Sequence, residues 1–176
     1  MAYFDNFPYM VYDADGTGKD FRIITDLTRK VAFRNYAAKN TSVFDRYTIK
    51  DGETPESIAH DLWGDAQLHW IILIANNIMD RFHDWPMSYP QFIDFVDSKY
   101  ANVNAVHHYE INATSGDTTK KINIGKDNTN HLSATLITNF EYEDARQNEL
   151  RRIKLVKREY VPVVKKQFAE LMSGNA

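Results

Sequence analysis

The sequence predicts an α+β protein, in which short hairpins are interspersed with amphipathic helices. Apolar, β-leaning runs twice flank a turn rich in small polar residues, which is typical of a hairpin. Several other segments begin with a side chain that caps a helix and continue with apolar residues at helical spacing. The 176 residues, of which 43% are hydrophobic, suffice for one domain with a core and substantial arms.

Residues 1–42 are predicted to form an N-terminal arm. Its apolar runs, residues 7–12 and 21–24, flank an Asp/Gly cluster at residues 13–18. Glycine supplies the positive φ that a hairpin turn of this kind needs. The apolar spacing that follows predicts a helix over residues 27–40.

Residues 43–100 are predicted to form a small β-α-α core with an extra helix. A strand over residues 47–50 leads to a helix that begins after Thr54, because Thr is a good N-cap and Pro55 suits the first helical position. Gly64 is predicted to end this helix.

Two further helices are predicted in the same segment. The second begins after Asp65, and residues 68–75 are apolar on nearly every side, so surrounding protein must bury this helix. The third begins at Ser88, whose capping box Gln91 closes.

Residues 101–176 are predicted to form a C-terminal arm of one hairpin and helices. The runs at residues 107–111 and 121–124 flank a small polar turn and predict the hairpin. Thr138 and Glu141 form a capping box that opens a polar helix.

A strand at residues 153–156 and an amphipathic helix complete this arm. Four apolar residues of the helix recur at spacings of three, four and three, which suits docking either on a partner or on the body of the protein: Val161, Val164, Phe168 and Leu171. Basic residues around this stripe favour an acidic neighbour.

Composition excludes several classes of protein. The chain has no cysteine, so disulfides, thiolate zinc sites and a cysteine nucleophile are excluded. A net charge of −3 argues against a general nucleic-acid binder. Residues 70–75 form the longest apolar run, far below the ~20 residues that span a membrane. We therefore expect no nucleic-acid and no membrane partner.

The sequence contains no pattern typical of catalysis or metal binding. The motifs His-Glu-x-x-His and Gly-x-Ser-x-Gly and the phosphate-binding glycine loops are all missing. His107 and His108 are adjacent in a predicted strand, so their side chains should point to opposite faces and not share a metal. We predict no catalytic residue, no metal and no cofactor.

Residues 47–59, Tyr-Thr-Ile-Lys-Asp-Gly-Glu-Thr-Pro-Glu-Ser-Ile-Ala, resemble the opening of a LysM module, and residues 63–65 and 73–76 continue the pattern. The resemblance implies a βααβ fold with a sugar-binding groove. Residues 78–86 intervene before the third helix and alter the second wall of that groove. Four residues match its first wall: Asp51, Gly52, Glu53 and Thr54.

A second resemblance covers nearly the whole chain. Residues 64–70, the Asp-Trp-Pro turn at 84–86, the Lys-Tyr pair at 99–100 and the run at 147–154 occur in this order. Together they resemble the LysM-containing baseplate wedge subunits of contractile-tailed, T-even-like bacteriophages, the gene-product fifty-three family. The resemblance implies a structural protein without catalytic activity, located in the tail baseplate of the virion and assembled in the host cytoplasm. It implies other baseplate wedge and hub proteins as partners, with the subunit joining wedges around the central hub.

Residues of the types enriched at interface hot spots are the candidate partner contacts. Trp85 follows an aspartate and precedes a proline in a loop, so we expect it near the surface. Trp85, Arg81 and Tyr89 are predicted to contact a partner. Trp63 and Trp70 lie on helices with apolar periodicity and are predicted to be core residues. The stripe of the last helix is the other candidate contact.

The alternative function is a peptidoglycan-binding LysM module. It would use the groove residues at 51–54, with a glycan in place of a protein partner. This alternative predicts that the protein binds cell walls and that substitutions at residues 51–53 weaken the binding. The baseplate function predicts no such binding.

Overall fold

The computed structural model describes residues 3–29, 31, 42–113 and 120–173. In chain order its strands and helices are β1 (Tyr9–Asp13), β2 (Phe21–Thr25), β3 (Phe44–Thr48), α1 (Pro55–Trp63), α2 (His69–Ala75), α3 (Arg81–Asp84), α4 (Tyr89–Lys99), β4 (Val106–Asn112), β5 (Lys121–Asn123), β6 (Thr135–Thr138), α5 (Asn139–Leu150), β7 (Arg152–Val156) and α6 (Val161–Ser173). The predicted mixture of α and β structure is confirmed. Among the described residues, no helix is both long and apolar enough to cross a membrane.

The elements pack into two units. Unit 1 comprises residues 1–49, 53–84 and 153–176, and unit 2 comprises residues 50–52 and 85–152. The division into segments 1–42, 43–100 and 101–176 stays a prediction.

Unit 1 begins with the expected hairpin. Strands β1 and β2 are antiparallel, with Tyr9 opposite Thr25 and Asp13 opposite Phe21. Gly16 and Gly18 lie in the turn with φ of 68° and 74°, a conformation in which glycine has no steric cost. The predicted helix at 27–40 falls mainly on residues outside those that the structure describes.

The helices of unit 1 follow their capping signals. The Thr54 hydroxyl accepts from the Ser57 amide at 3.2 Å, and the Ser57 hydroxyl accepts from the Thr54 amide at 3.0 Å. Gly64 ends α1 in the left-handed conformation, with φ of 79°. Asp65 caps a short 3-10 turn, Ala66–Leu68, which leads into α2. The predicted N-cap at Thr54, the helix end at Gly64 and the N-cap at Asp65 are therefore confirmed.

The strand predicted at 47–50 lies earlier, at β3, because its position follows from pairing with β7. The Lys157 amide, just after β7, donates to the Val43 carbonyl, just before β3, at 3.0 Å. The two strands are therefore antiparallel. In chain order β3, α1, α2 and β7 have the β-α-α-β order that the LysM resemblance implies, with residues 85–151 inserted before the last strand. That this core is LysM-like stays a prediction.

Asn76 joins the helical part of unit 1 to β7. Its side-chain amide donates to the Lys154 carbonyl at 2.8 Å and accepts from the Lys154 amide at 2.8 Å. The same nitrogen donates to the Ile72 carbonyl at 2.9 Å. One side chain thus satisfies backbone groups at the end of α2 and in the closing strand.

Unit 2 contains a three-stranded antiparallel sheet in the order β5-β4-β6. The hairpin of β4 and β5 was predicted, whereas β6 was not, because its four residues follow a long polar stretch. Helices α4 and α5 both begin with the predicted capping boxes. Their aromatic residues Phe92 and Phe140 meet edge to face, with ring centroids 5.4 Å apart.

Candidate interaction surfaces

The prediction that Trp85 lies near the surface is wrong, because its side chain is only 8% exposed. The loop is drawn inward two residues later, where the Met87 amide donates to the side-chain oxygen of buried Gln147 at 2.9 Å. Arg81 and Tyr89 are exposed, as a partner contact requires. Their contact with a partner stays a prediction.

The stripe of α6 packs within unit 1. Val161, Val164 and Phe168 are buried, and the rings of Phe168 and Trp70 lie 4.3 Å apart between centroids. The expected core position of Trp70 is confirmed, and Trp63 is also buried. The sequence left open whether this stripe packs on a partner or on the body of the protein. In the structure it packs on the body of the protein.

Leu171, the last residue of that stripe, is only partly buried. Its neighbour Met172 is fully buried in its place. The prediction of Leu171 is therefore replaced by Met172, because positions three and four residues after Phe168 both lie near the same helical face.

The polar side chains of the expected LysM groove are engaged within the chain. Asp51 accepts from the Tyr89 amide at 2.7 Å, within unit 2. In unit 1, both carboxylate oxygens of Glu53 lie 2.9 Å from the Tyr47 hydroxyl, and Thr54 caps α1. Burial and the Glu53 carboxylate raise the pKa of Tyr47 to about 12. Gly52 contributes a turn with φ of 76°.

An apolar surface that the sequence did not single out lies on the β1–β2 hairpin. Residues directly opposite in an antiparallel pair share a face, so Tyr9, Val11, Phe21 and Ile23 lie on one side of the hairpin. Their side chains are 62–78% exposed, whereas Met10, Tyr12 and Ile24 on the other side are 37–49% exposed. We call the first set the hairpin face. The signal in the sequence is that every residue from Tyr9 to Tyr12 is apolar, where a strand with one solvated face would alternate.

The hairpin face is large for a surface of a monomer. Four side chains of this size and exposure present on the order of 500 Å² of mainly apolar area. Monomeric proteins rarely expose larger contiguous apolar patches, and such patches mark interaction sites. A two-stranded hairpin is also marginal by itself in water. A neighbouring protein that covers this face would stabilise the hairpin.

The turn around α3 presents a second exposed pair, Met79 and Phe82, which are 78% and 86% exposed. Asp84 accepts from the amides of Met79 and Asp80 at 3.1 and 3.0 Å, and Asp80 accepts from the Phe82 amide at 2.8 Å. Met and aromatic residues are enriched at interfaces. In this turn, Arg81 is the residue that the sequence predicted as a partner contact. Its guanidinium donates to the Glu56 carboxylate at 2.8 Å.

A buried carboxylate ties two helices of unit 2 together. Glu143 of α5 is 1% exposed and accepts from the Lys99 ammonium at 2.7 Å and the Tyr100 hydroxyl at 2.8 Å, both at the end of α4. Burial opposes the charge of Glu143, but the hydrogen bonds from Lys99 and Tyr100 outweigh it and hold the pKa below its ordinary value. The arrangement is structural. In the described part of the chain, no group of three or more His, Cys, Asp or Glu residues could hold a metal ion.

We expect the variant E143Q to lower the free energy of unfolding by about 1–2 kcal/mol at pH 7, because hydrogen bonds to a charged acceptor become neutral ones. Since the folded pKa is depressed, the stabilisation is present above the ordinary value of 4.5 and is lost as pH falls through the folded pKa. Urea unfolding at pH 7 and pH 3.5 measures both effects. If E143Q and the wild type differed in the free energy of unfolding by the same amount at pH 7 and at pH 3.5, the prediction would be wrong.

The expectation that His107 and His108 point apart is also wrong. The register of β4 against β6 shifts between Val106 and His108, which is a β-bulge. A bulge re-aims the side chains of its strand. The Nδ1 atoms of the two imidazoles lie 2.8 Å apart.

The family model of base plate wedge protein 53 matches residues 1–131 of the chain. The chain belongs to this family. Its members are structural baseplate proteins and are not known as enzymes. Membership implies a location in the tail baseplate of a phage virion.

A curated relative in the same family is the baseplate wedge protein gp53 of Enterobacteria phage T4. It is 32% identical over 69 residues, which cover 38% of this chain and 35% of that protein. The matched stretch therefore spans about a third of the relative. The family match of residues 1–131 includes both the hairpin face and the turn around α3, and it ends before α5, β7 and α6.

Proposed function

We propose that this chain is a joining subunit of the baseplate wedge, which binds neighbouring wedge proteins and holds wedges to one another around the central hub. The hairpin face carries the proposal, because it is a large exposed apolar surface within the part of the chain that matches the family. The contacts are with protein, and assembly takes place in the host cytoplasm.

The physical driving force is the burial of the hairpin face. Transfer of one Val, Ile or Phe side chain from water to an interface contributes about 1.5–3 kcal/mol. Val11, Phe21 and Ile23, together with Tyr9, offset a large part of the cost of association, which is on the order of 4–15 kcal/mol. Arg81, Tyr89 and the pair Met79 and Phe82 are the further contacts that we propose.

Peptidoglycan binding, the alternative function, has less support. A glycan groove offers free polar groups to sugar hydroxyls, whereas Asp51, Glu53 and Thr54 each make hydrogen bonds within the chain. A pull-down with purified sacculi tests this alternative directly.

The double variant V11T/I23T should weaken binding to the purified wedge proteins of the same phage about 30-fold. Each replacement keeps a β-branched side chain, so the strands remain favourable, while about 1 kcal/mol of apolar burial is lost at each position. Titration calorimetry against each wedge protein measures the affinity, and circular dichroism verifies the fold.

The matched control is L136T in β6 of unit 2, where Leu136 is 42% exposed on a strand outside the hairpin face. We expect the control to bind like the wild type. Wild-type affinity in the double variant, or an equal loss in the control, would rule out the hairpin face as the docking surface.

A further inference from the structure

We propose that the His107–His108 pair is a proton-operated latch of unit 2. It holds the β4 bulge against helix α5 while the two imidazoles share one proton between their Nδ1 atoms, and it releases when both rings are protonated. The latch is independent of the proposed function, since it concerns the free chain.

The hydrogen bonds determine where the protons lie. His108 Nε2 is 3.0 Å from Glu110 Oε1, and a carboxylate only accepts, so this nitrogen carries a proton. A neutral His108 then has a bare Nδ1, which accepts from His107 across 2.8 Å. Neutral His107 is consequently the Nδ1–H tautomer.

The pair tolerates one positive charge but not two. If His108 gains a proton, its Nδ1 becomes the donor and His107 accepts as the Nε2–H tautomer. If both rings are protonated, two N–H donors and two positive charges face each other, and the bond breaks. Because His108 is 5% exposed, it cannot turn out to water without disturbing the bulge.

The latch contacts α5 through a ring stack. The imidazole of His107 lies flat on the Tyr142 ring, with centroids 3.9 Å apart and an interplanar angle of 10°. His108 meets the same ring edge on, at 6.0 Å. Release of the pair would therefore loosen β4, the central strand of the sheet, from the helix that covers it.

Charged groups from several elements face the pair. Burial is the largest influence that lowers the pKa of His107, followed by the charge of His108, while Glu143 acts in the opposite direction. The surrounding ionisable groups come from β4, α4, α5 and the segment after β5: Glu110, Lys99, Tyr142, Glu143 and Lys126.

The sign of the pH effect follows from the lowered pKa of His107. The unfolded chain binds the proton near the ordinary value of 6.5, before the folded chain does. The stabilisation is complete above that value and is lost as pH falls toward the folded pKa. This pH range lies above the one in which we expect protonation of Glu143 to destabilise the fold.

The direct test is a ¹⁵N imidazole correlation spectrum of the full chain at pH 7.5. One proton between the two Nδ1 atoms supports the latch. Two neutral Nε2–H tautomers, with no proton between the Nδ1 atoms, would overturn it.

A second test uses the variant H107F, which keeps a ring on Tyr142 and removes the titrating group. Between pH 7.5 and 5.5 we expect the wild-type Tm to fall by about 3 °C more than the Tm of H107F. The control H131Q removes an exposed histidine of unit 2 and should keep the wild-type dependence. Equal pH dependence of H107F and the wild type contradicts the latch, and if H107F does not fold, the spectrum of the wild type decides.

Discussion

The variant F168A should lower the free energy of unfolding by about 3–5 kcal/mol, the usual cost of deleting a buried aromatic ring. Phe168 is 4% exposed and packs on Trp70 and on the ring of Tyr3, whose centroid is 5.4 Å away. The cavity would lie where the 3-10 turn Tyr3–Asn6, α2 and α6 of unit 1 meet. Urea unfolding followed by tryptophan fluorescence measures the loss.

The control for this prediction is V163A on the same helix. Val163 is 51% exposed, so its truncation should change the free energy by no more than about 0.5 kcal/mol. The pair of variants distinguishes the two roles that the sequence allowed for the stripe of α6. If F168A were as stable as the wild type and lost only partner binding, the stripe would be a docking face, against its burial in unit 1.

The variant N76A should cost about 2–3 kcal/mol, the second largest effect that we expect. It removes both hydrogen bonds between Asn76 and Lys154 and the bond to the Ile72 carbonyl, and it leaves backbone groups of the closing strand without their partners. The Lys154 amide should also exchange faster with solvent than in the wild type. Hydrogen exchange followed by NMR reads this residue directly.

The variant N76D separates the two directions of this contact. An aspartate still accepts from the Lys154 amide, but its second oxygen faces the Lys154 and Ile72 carbonyl oxygens. We therefore expect retained protection of that amide, with a loss of stability at least as large as that of N76A. A loop variant, N130A, serves as the control that changes neither. Unchanged exchange at Lys154 in N76A would show that β7 does not depend on this bridge.

Local structure was the part of the fold that the sequence predicted well. The N-cap at Thr54 and the capping boxes at Ser88 and Thr138 place three helix starts, and Gly64 places one helix end. These signals act within four residues, so they can be recognised without any tertiary information. The strand at 153–156 was also predicted, but its pairing with β3, more than 100 residues earlier, was not.

The candidate site residues show the same limit. Arg81 and Tyr89 are exposed, as a partner contact requires, whereas Trp85 was wrongly placed at the surface because of its polar and proline neighbours. Trp85 is buried, and two residues later the Met87 amide donates to Gln147, 60 residues away. Loop composition predicts a turn, but it does not predict which long-range contact pulls the loop inward.

The amino-acid sequence by itself determined the mixture of hairpins and capped helices, the absence of cysteine chemistry and the resemblance to baseplate wedge proteins. All of these rest on residue types and short spacings. Tertiary structure alone decided that α6 packs into the core, that a bulge turns His107 toward His108, and that the hairpin face is left uncovered. The physical reason is that burial and strand pairing depend on which distant segments meet, and neither periodicity nor capping specifies that choice.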